Sequence, residues 1–272
     1  MSIDAIQTED SRRRLPAGRK ARLAAVVAEH GQVTVAELAD TFGVSVDTIR
    51  RDLDQLDADG VLIRTHGGAV SPTALPKPDT GLDIRRRVQT TAKETIGALA
   101  AGLVRDGQCL IINGGTTTLA LARHLRERSD LTVATNNLLL PSEISPTVYR
   151  SLYLFGGTVR PSAQATIGPV TFAPNGSAGV EVNGDLALIS VGGLTVAGGY
   201  STSNIAEAQM MREMMDRSEE VAMLIDSTKF GRKLFAQFAP LEAATYIVTE
   251  VAPPAEFAEA FAERGIQVIH PD

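Results

Sequence analysis

The chain has 272 residues, 44% hydrophobic and 21% charged, with a net charge of −6. That length allows two folded domains, and the composition is that of an ordinary soluble globular protein. No apolar run approaches the roughly 20 residues of a spanning helix, the arginines near the N-terminus precede no apolar secretory core, and the four histidines have no metal-ligand spacing, so membrane, secretory and metal or cofactor roles are set aside.

Charge is unevenly placed. The first 70 residues hold nine Lys/Arg against eleven Asp/Glu, but Arg12, Arg13, Arg14, Arg19, Lys20 and Arg22 crowd one stretch. That distribution permits a nucleic-acid partner which the overall charge would not suggest. Residues 1–18 read as a flexible arm, and 19–70 as the first domain. A helix over 19–30 places Leu23, Val26 and Val27 at helical spacing and stops at Gly31. Thr34 caps a second helix with Val35, Leu38, Ala39 and Phe42 on one face, and Gly43 breaks it. Ser45 caps a third, whose buried stripe is Ile49, Leu53 and Leu56.

Two short helices joined by a tight glycine turn form a helix-turn-helix. With that stripe inward, Ser45, Asp47, Thr48, Arg50 and Arg51 fall at the exposed N-terminal half of the third helix, the end that meets base edges in the major groove. Arginine there pairs with guanine or grips phosphate. Asp54, Asp57 and Asp59 lie toward the other end. Next, "VLIRTHGGAV" reads as two strands around a turn at His66, Gly67 and Gly68, a wing whose Arg64 and His66 reach backbone or minor groove. Thr34, at the start of the second helix, completes the candidate DNA-contacting set. The stretch "ELADTFGVSVDTIRRDLDQLDADGVLIRTHGGAV" resembles the DNA-binding domain of DeoR-family transcriptional regulators, through its Val-Ser, Thr-Ile-Arg-Arg-Asp-Leu and His-Gly-Gly-Ala.

Three prolines in "SPTALPKPDTG" mark an interdomain linker, taken as 71–84, with the second domain at 85–272. "IRRRVQTTAKETIGALAAGLV" reads as one helix with Ile96, Leu99, Ala100 and Leu103 inward. Strand-like runs follow at "QCLIING", "LTVATN", "SLYLFGG", "LALISVGG", "VAMLID" and "TYIVTE". Helical patterns lie at "TTTLALARHL", "NIAEAQMMREMMDRS" and "AEFAEAFAERG". The single cysteine, Cys109, sits in the first of those strands; it excludes a disulfide framework and reads as a buried, reduced thiol of a cytoplasmic protein. Such alternation specifies an α/β fold with a mostly parallel sheet, which binds ligands beyond the carboxyl ends of its strands.

The unusual residues fall at those ends. Asn113, Gly114, Gly115, Thr116, Thr117 and Thr118 join a strand to a helix; glycines free backbone amides for an anion, the helix N-terminus favours negative charge, and three hydroxyls add donors. No lysine follows the glycines, so this is not a Walker A loop; a tight turn with a capping threonine is the plainer reading. Thr135, Asn136 and Asn137 end the next strand with amides able to read sugar hydroxyls. Gly156 and Gly157, with Arg160 after them, and Gly192 and Gly193 end two more. Lys229, in "DSTKFG", meets a phosphate or merely pairs with Asp226. The polar stretch "GPVTFAPNGSAGVEVNGD" reads as a long loop.

The resemblance to the DeoR family continues over this region. It implies a sensor domain like ribose-5-phosphate isomerase in fold that binds a phosphorylated sugar, through an acid-Gly-Thr-Thr loop, a Thr-Asn-Ser strand end, a Gly-Gly turn and an Asp-x-Ser-Lys-Phe-Gly loop. Here Asn113 stands where the family has the acid, Asn137 and Thr228 where it has serine, which leaves the identity of the sugar open. The combined reading is a non-enzymatic repressor of carbohydrate genes, a homodimer or homotetramer on double-stranded operator DNA, released by a sugar phosphate. The alternatives are an activator, or an isomerase-like enzyme with a fused DNA-binding segment. For the enzyme, Asp226, Lys229 and Glu207 would be the acid/base groups, but no spacing brings them together.

Overall fold

The computed structural model describes residues 16–74, 81–172 and 180–271. The arm's Arg12, Arg13 and Arg14, part of the linker, and 173–179 of the polar stretch lie outside them. The described chain divides into two compact units: 16–74 with Asp83–Thr90, and 81–82 with the residues from Thr91 onward.

In the first unit, α1 (Pro16–His30), β1 (Gln32–Thr34), α2 (Val35–Phe42) and α3 (Val46–Ala58) precede a hairpin of β2 (Ile63–Arg64) and β3 (Gly68–Val70). Sequence dictates both helix starts. The Thr34 hydroxyl accepts from Glu37 N at 3.2 Å while the Glu37 carboxylate accepts from Thr34 N at 2.7 Å, a complete capping box. Ser45 Oγ accepts from Thr48 N at 3.2 Å and starts α3. Leu23, Val27, Leu38, Ile49, Leu53 and Leu62 bury against one another as the unit's core. Within it, the Arg19 guanidinium of α1 meets the buried Asp52 carboxylate of α3 at 2.5 Å.

The wing is part of a three-stranded sheet in the order β1-β3-β2, so Thr34, expected as a cap, also ends a strand. Gly68 pairs with Thr34, and a Cβ at Gly68 would stand 1.9 Å from the Val33 carbonyl oxygen. Only glycine lets the wing close on β1.

The expected single helix over 84–104 is two, α4 (Leu82–Arg87) and α5 (Thr90–Ala101), parted at Gln89 with φ 53°. Tertiary bonds override the helical pattern: Gln89 N donates to Pro72 O and its side chain to Thr73 O, each at 2.8 Å. Further, Asp83–Thr90 joins the first unit rather than the second. Val88 is buried with Ile63, Val70 and Ala74, and Arg87 Nη2 meets Asp57 Oδ1 at 2.5 Å.

The second unit is built on seven parallel strands in the order β17-β16-β14-β11-β4-β5-β6. These are β4 (Cys109–Ile112), β5 (Leu131–Thr135), β6 (Tyr149–Leu154), β11 (Gly184–Ser190), β14 (Ser218–Leu224), β16 (Tyr246–Val248) and β17 (Gln267–Ile269). Helices α6 (Thr116–His124), α7 (Leu140–Glu143), α8 (Ile205–Asp216) and α9 (Ala255–Glu263) accompany them. Alternate strand residues serve opposite faces, as in parallel sheets covered on both sides. Leu110, Ile112, Val133, Leu186 and Leu188 bury with Ile96 and Leu119; Ile111, Ala187, Ile189 and Met223 bury with Met210, Met214, Phe257 and Phe261.

Three smaller antiparallel pieces were not foreseen: the hairpins β7 (Thr158–Arg160) with β8 (Ala165–Ile167) and β9 (Thr171–Phe172) with β10 (Val180–Glu181), and a sheet of β12 (Gly193–Thr195), β13 (Gly199–Thr202) and β15 (Ala236–Ala239). Cys109 is half-buried, not buried, because it opens β4 and lines an apolar groove with Thr132, Tyr153 and Val180.

The chain runs β4-β5-β6 in one direction, then returns to β11 beside β4 and runs the other way. The switch point therefore lies between β4 and β11, where open parallel sheets bind ligands.

Candidate functional site

In the first unit, Ser45, Asp47, Arg50 and Arg51 are exposed on α3, Thr48 is half-buried, and Ile49, Leu53 and Leu56 are turned into the core. Arg50 Nη1 touches Asp47 Oδ1 at 3.2 Å, an exposed pair weak enough to exchange for phosphate or a base. His66 is exposed at the wing tip. Thr34 and Arg64 are engaged elsewhere. The Thr34 hydroxyl is held in its capping box, and Arg64 donates to Thr65 O and Gly68 O and pairs with Asp54 at 3.2 Å, bracing the wing from within.

In the second unit, the ends of β4, β5 and β11 are laced together. Asn113 Nδ2 donates to Ser190 O at 2.9 Å, and its Oδ1 accepts from Ser190 N at 2.9 Å and Ser190 Oγ at 3.3 Å. Asn136 Oδ1 accepts from Gly114 N at 2.7 Å, while Nδ2 donates to Thr166 O at 2.7 Å. Asn137 Nδ2 donates to Gly115 O at 3.2 Å, and its Oδ1 accepts from Leu139 N at 3.1 Å. Thr135 Oγ1 donates to Ile112 O, and Thr118 Oγ1 to Asn113 O. All three asparagines are buried. Their amides hold strand ends in place.

The same lacing explains the glycines. A Cβ at Gly114 would lie 2.8 Å from the Ala165 methyl, and one at Gly115 would lie 2.0 Å from Ser190 Oγ. The start of α6 has no side-chain cap. Gly115 stands at the cap position, and the first turn holds no acid, so the peptide dipole faces the loop uncompensated. Thr116 is half-buried and Thr117 buried there.

The remaining candidates fall into separate groups. Gly156 and Gly157 turn the chain from β6 into β7, Gly157 against the Ile167 carbonyl. Arg160 Nη1 meets Glu207 Oε2 at 3.0 Å, and Thr202 Oγ1 donates to the same oxygen at 2.7 Å. Lys229 Nζ lies 3.3 Å from Asp226 Oδ2 beyond β14, so the pairing alternative is the one observed. Arg232 donates to Gly192 O at 3.2 Å; burial lowers its guanidinium pKa, against the charge of Asp226. Sequence reasoning missed Ser190, although it ends a strand just as the chosen residues do, and it weighed Glu207 only for catalysis. Among the described residues no group of three His, Cys, Asp or Glu is placed to hold a metal ion, and no helix is long and apolar enough to cross a membrane.

The comparisons follow this division. A model of the DeoR-like helix-turn-helix domain matches residues 19–74, and one of the DeoR C-terminal sensor domain matches 88–251. The HTH-type transcriptional regulator GlpR of Haloferax volcanii is 32% identical over 94% of this chain and 98% of its own. The glycerol-3-phosphate regulon repressor of Escherichia coli (strain K12) is 28% identical over 89% of this chain and 94% of its own. A ribose 5-phosphate isomerase A from Methanocaldococcus jannaschii superimposes on 53% of this chain and 56% of its own, at 13% identity and a TM-score of 0.36.

Proposed function

The chain belongs to the DeoR family of transcriptional regulators, and from that premise we propose that it represses carbohydrate genes and leaves its operator when a phosphorylated sugar binds the second unit. On this reading the N-terminal half of α3 enters the major groove, with Arg50 and Arg51 on bases and phosphates and His66 of the wing alongside. One observation carries the effector half: at the switch point of the sheet, α6 offers an N-terminus without side-chain cap or acid, as a phosphate dianion requires. The phosphate sits on the amides of Gly115, Thr116, Thr117 and Thr118. The named relative from Escherichia coli, a glycerol-3-phosphate regulon repressor, supports a small phosphorylated polyol or sugar. Binding acts by favouring the conformation with lower operator affinity. The chain works as a homodimer or homotetramer, since paired recognition helices read paired half-sites.

A thermal-shift screen of sugar phosphates, followed by operator-release assays of each hit, tests this reading. Thr117→Asp places a carboxylate where the phosphate binds; the variant is expected to hold its operator and ignore inducer. A normal response by that variant, or equal affinity for the unphosphorylated sugar, overturns the phosphate assignment.

A further inference from the structure

The asparagines that would have read the sugar's hydroxyls are committed to the backbone, which raises the question of what does read them. We propose that Glu207, with Thr202 and Arg160, binds the hydroxyl end of the effector; the assignment rests on the sugar-phosphate reading above.

The placement follows from the β7–β8 hairpin. Arg160 and Ala165 are directly paired across it, so their side chains share one face. That face is turned to the effector loop, because the Ala165 methyl stands where a Cβ on Gly114 would touch it. β8 is tied there by Thr166 N donating to Asn136 O at 2.9 Å and by a bridge between Ala165 and Asn137. The Glu207 side arrives independently. Asn136 Nδ2 approaches Met210 Sδ at 3.5 Å, and Met210 lies one turn along α8 from Glu207, on the same side of the helix. Two elements thus deliver Arg160 and Glu207 to the rim of the loop that opens α6.

Chemistry divides the two ends. A carboxylate repels a phosphate dianion, so the phosphate goes to the α6 amides. At the other end Glu207 accepts hydroxyl protons and Arg160 donates to hydroxyl oxygens. Both side chains are about one-fifth exposed, within reach of a ligand yet fixed by each other and by Thr202.

The test is operator release from the full chain by two matched pairs: glycerol 3-phosphate against propyl phosphate, and glucose 6-phosphate against 2-deoxyglucose 6-phosphate. Wild type is expected to prefer the hydroxylated member of the active pair at least tenfold, since a site built around a hydroxyl rejects the analogue lacking it. Glu207→Gln and, separately, Thr202→Val should shrink that preference at least fivefold, with operator affinity and competition by inorganic phosphate unchanged. A preference intact in both variants overturns the role of Glu207 while leaving the effector class standing. Failure of every phosphate ester to release the wild type overturns both readings.

Discussion

Arg50 and Arg64 are both arginines in the DNA-binding unit, and their surroundings predict different phenotypes. Arg50 touches only an exposed carboxylate in its own helix, so Arg50→Ala should weaken operator binding by about 1–3 kcal/mol and leave the melting temperature in place. Calorimetric melts paired with mobility shifts would show the split. Arg64 braces the wing through two carbonyls and Asp54, so Arg64→Ala should lower stability and affinity together. Asn113 makes a third case. Its Nδ2 donates to the Ser190 carbonyl, and Asn113→Asp would set oxygen against oxygen in a buried site, at a cost of about 1–3 kcal/mol. Denaturant unfolding measures that cost; an unchanged midpoint would mean that the loop rearranges around the acid. An acid at this position would thus disrupt this particular lacing.

The joint between α3, β2 and α4 turns on Asp57, which accepts from Arg64 N at 2.9 Å and pairs with Arg87. Burial pushes the Asp57 carboxyl upward, but the bonds and charges of Arg87 and Arg64 outweigh it and hold the group below the ordinary aspartate range. A depressed native pKa stabilises the fold above the unfolded-state value of about 3.9 and loses that contribution as pH falls through the native value. Wild type should therefore exceed Asp57→Asn in stability at pH 7, and thermal melts should show the gap narrowing once pH falls below about 3.9. This joint was not legible in the sequence: a three-arginine run after three prolines reads as the start of a long helix, and only tertiary bonds at Gln89 divide it. The helix-turn-helix was legible because caps and buried stripes are local signals, as with Thr34, Ser45 and Ile49. The parallel core strands were legible as apolar runs, whereas β1, β8 and β13 are too short to show a period, and β3 and β15, which pair with β1 and β13, lie far along the chain. At the candidate site, the Asn-Gly-Gly loop stood out. That its polar side chains are spent on one another could not be read, because Ser190 is 77 residues from Asn113.

At the scale of the whole molecule, one recognition helix offers few base contacts, and a regulator of this kind gains specificity by presenting two. Sedimentation at working concentration is expected to show a dimer or tetramer; a monomer on and off DNA would count against it. Operator affinity should fall steeply with salt, with log K linear in log salt, and removing one phosphate-contacting arginine should flatten the slope by about one. The order of the central sheet bears on the protein's synthesis as well. β4 is flanked by β5, met soon after it, and by β11, whose pairing partner for Leu110 is Leu186. At about 5–20 residues per second, a ribosome needs on the order of 4–15 s to make the residues between them. For that interval the nascent chain carries β4 as a raw, apolar edge, a template for another chain to pair with. Slow codons across 113–183 are then expected to lengthen that exposure and to lower the soluble yield.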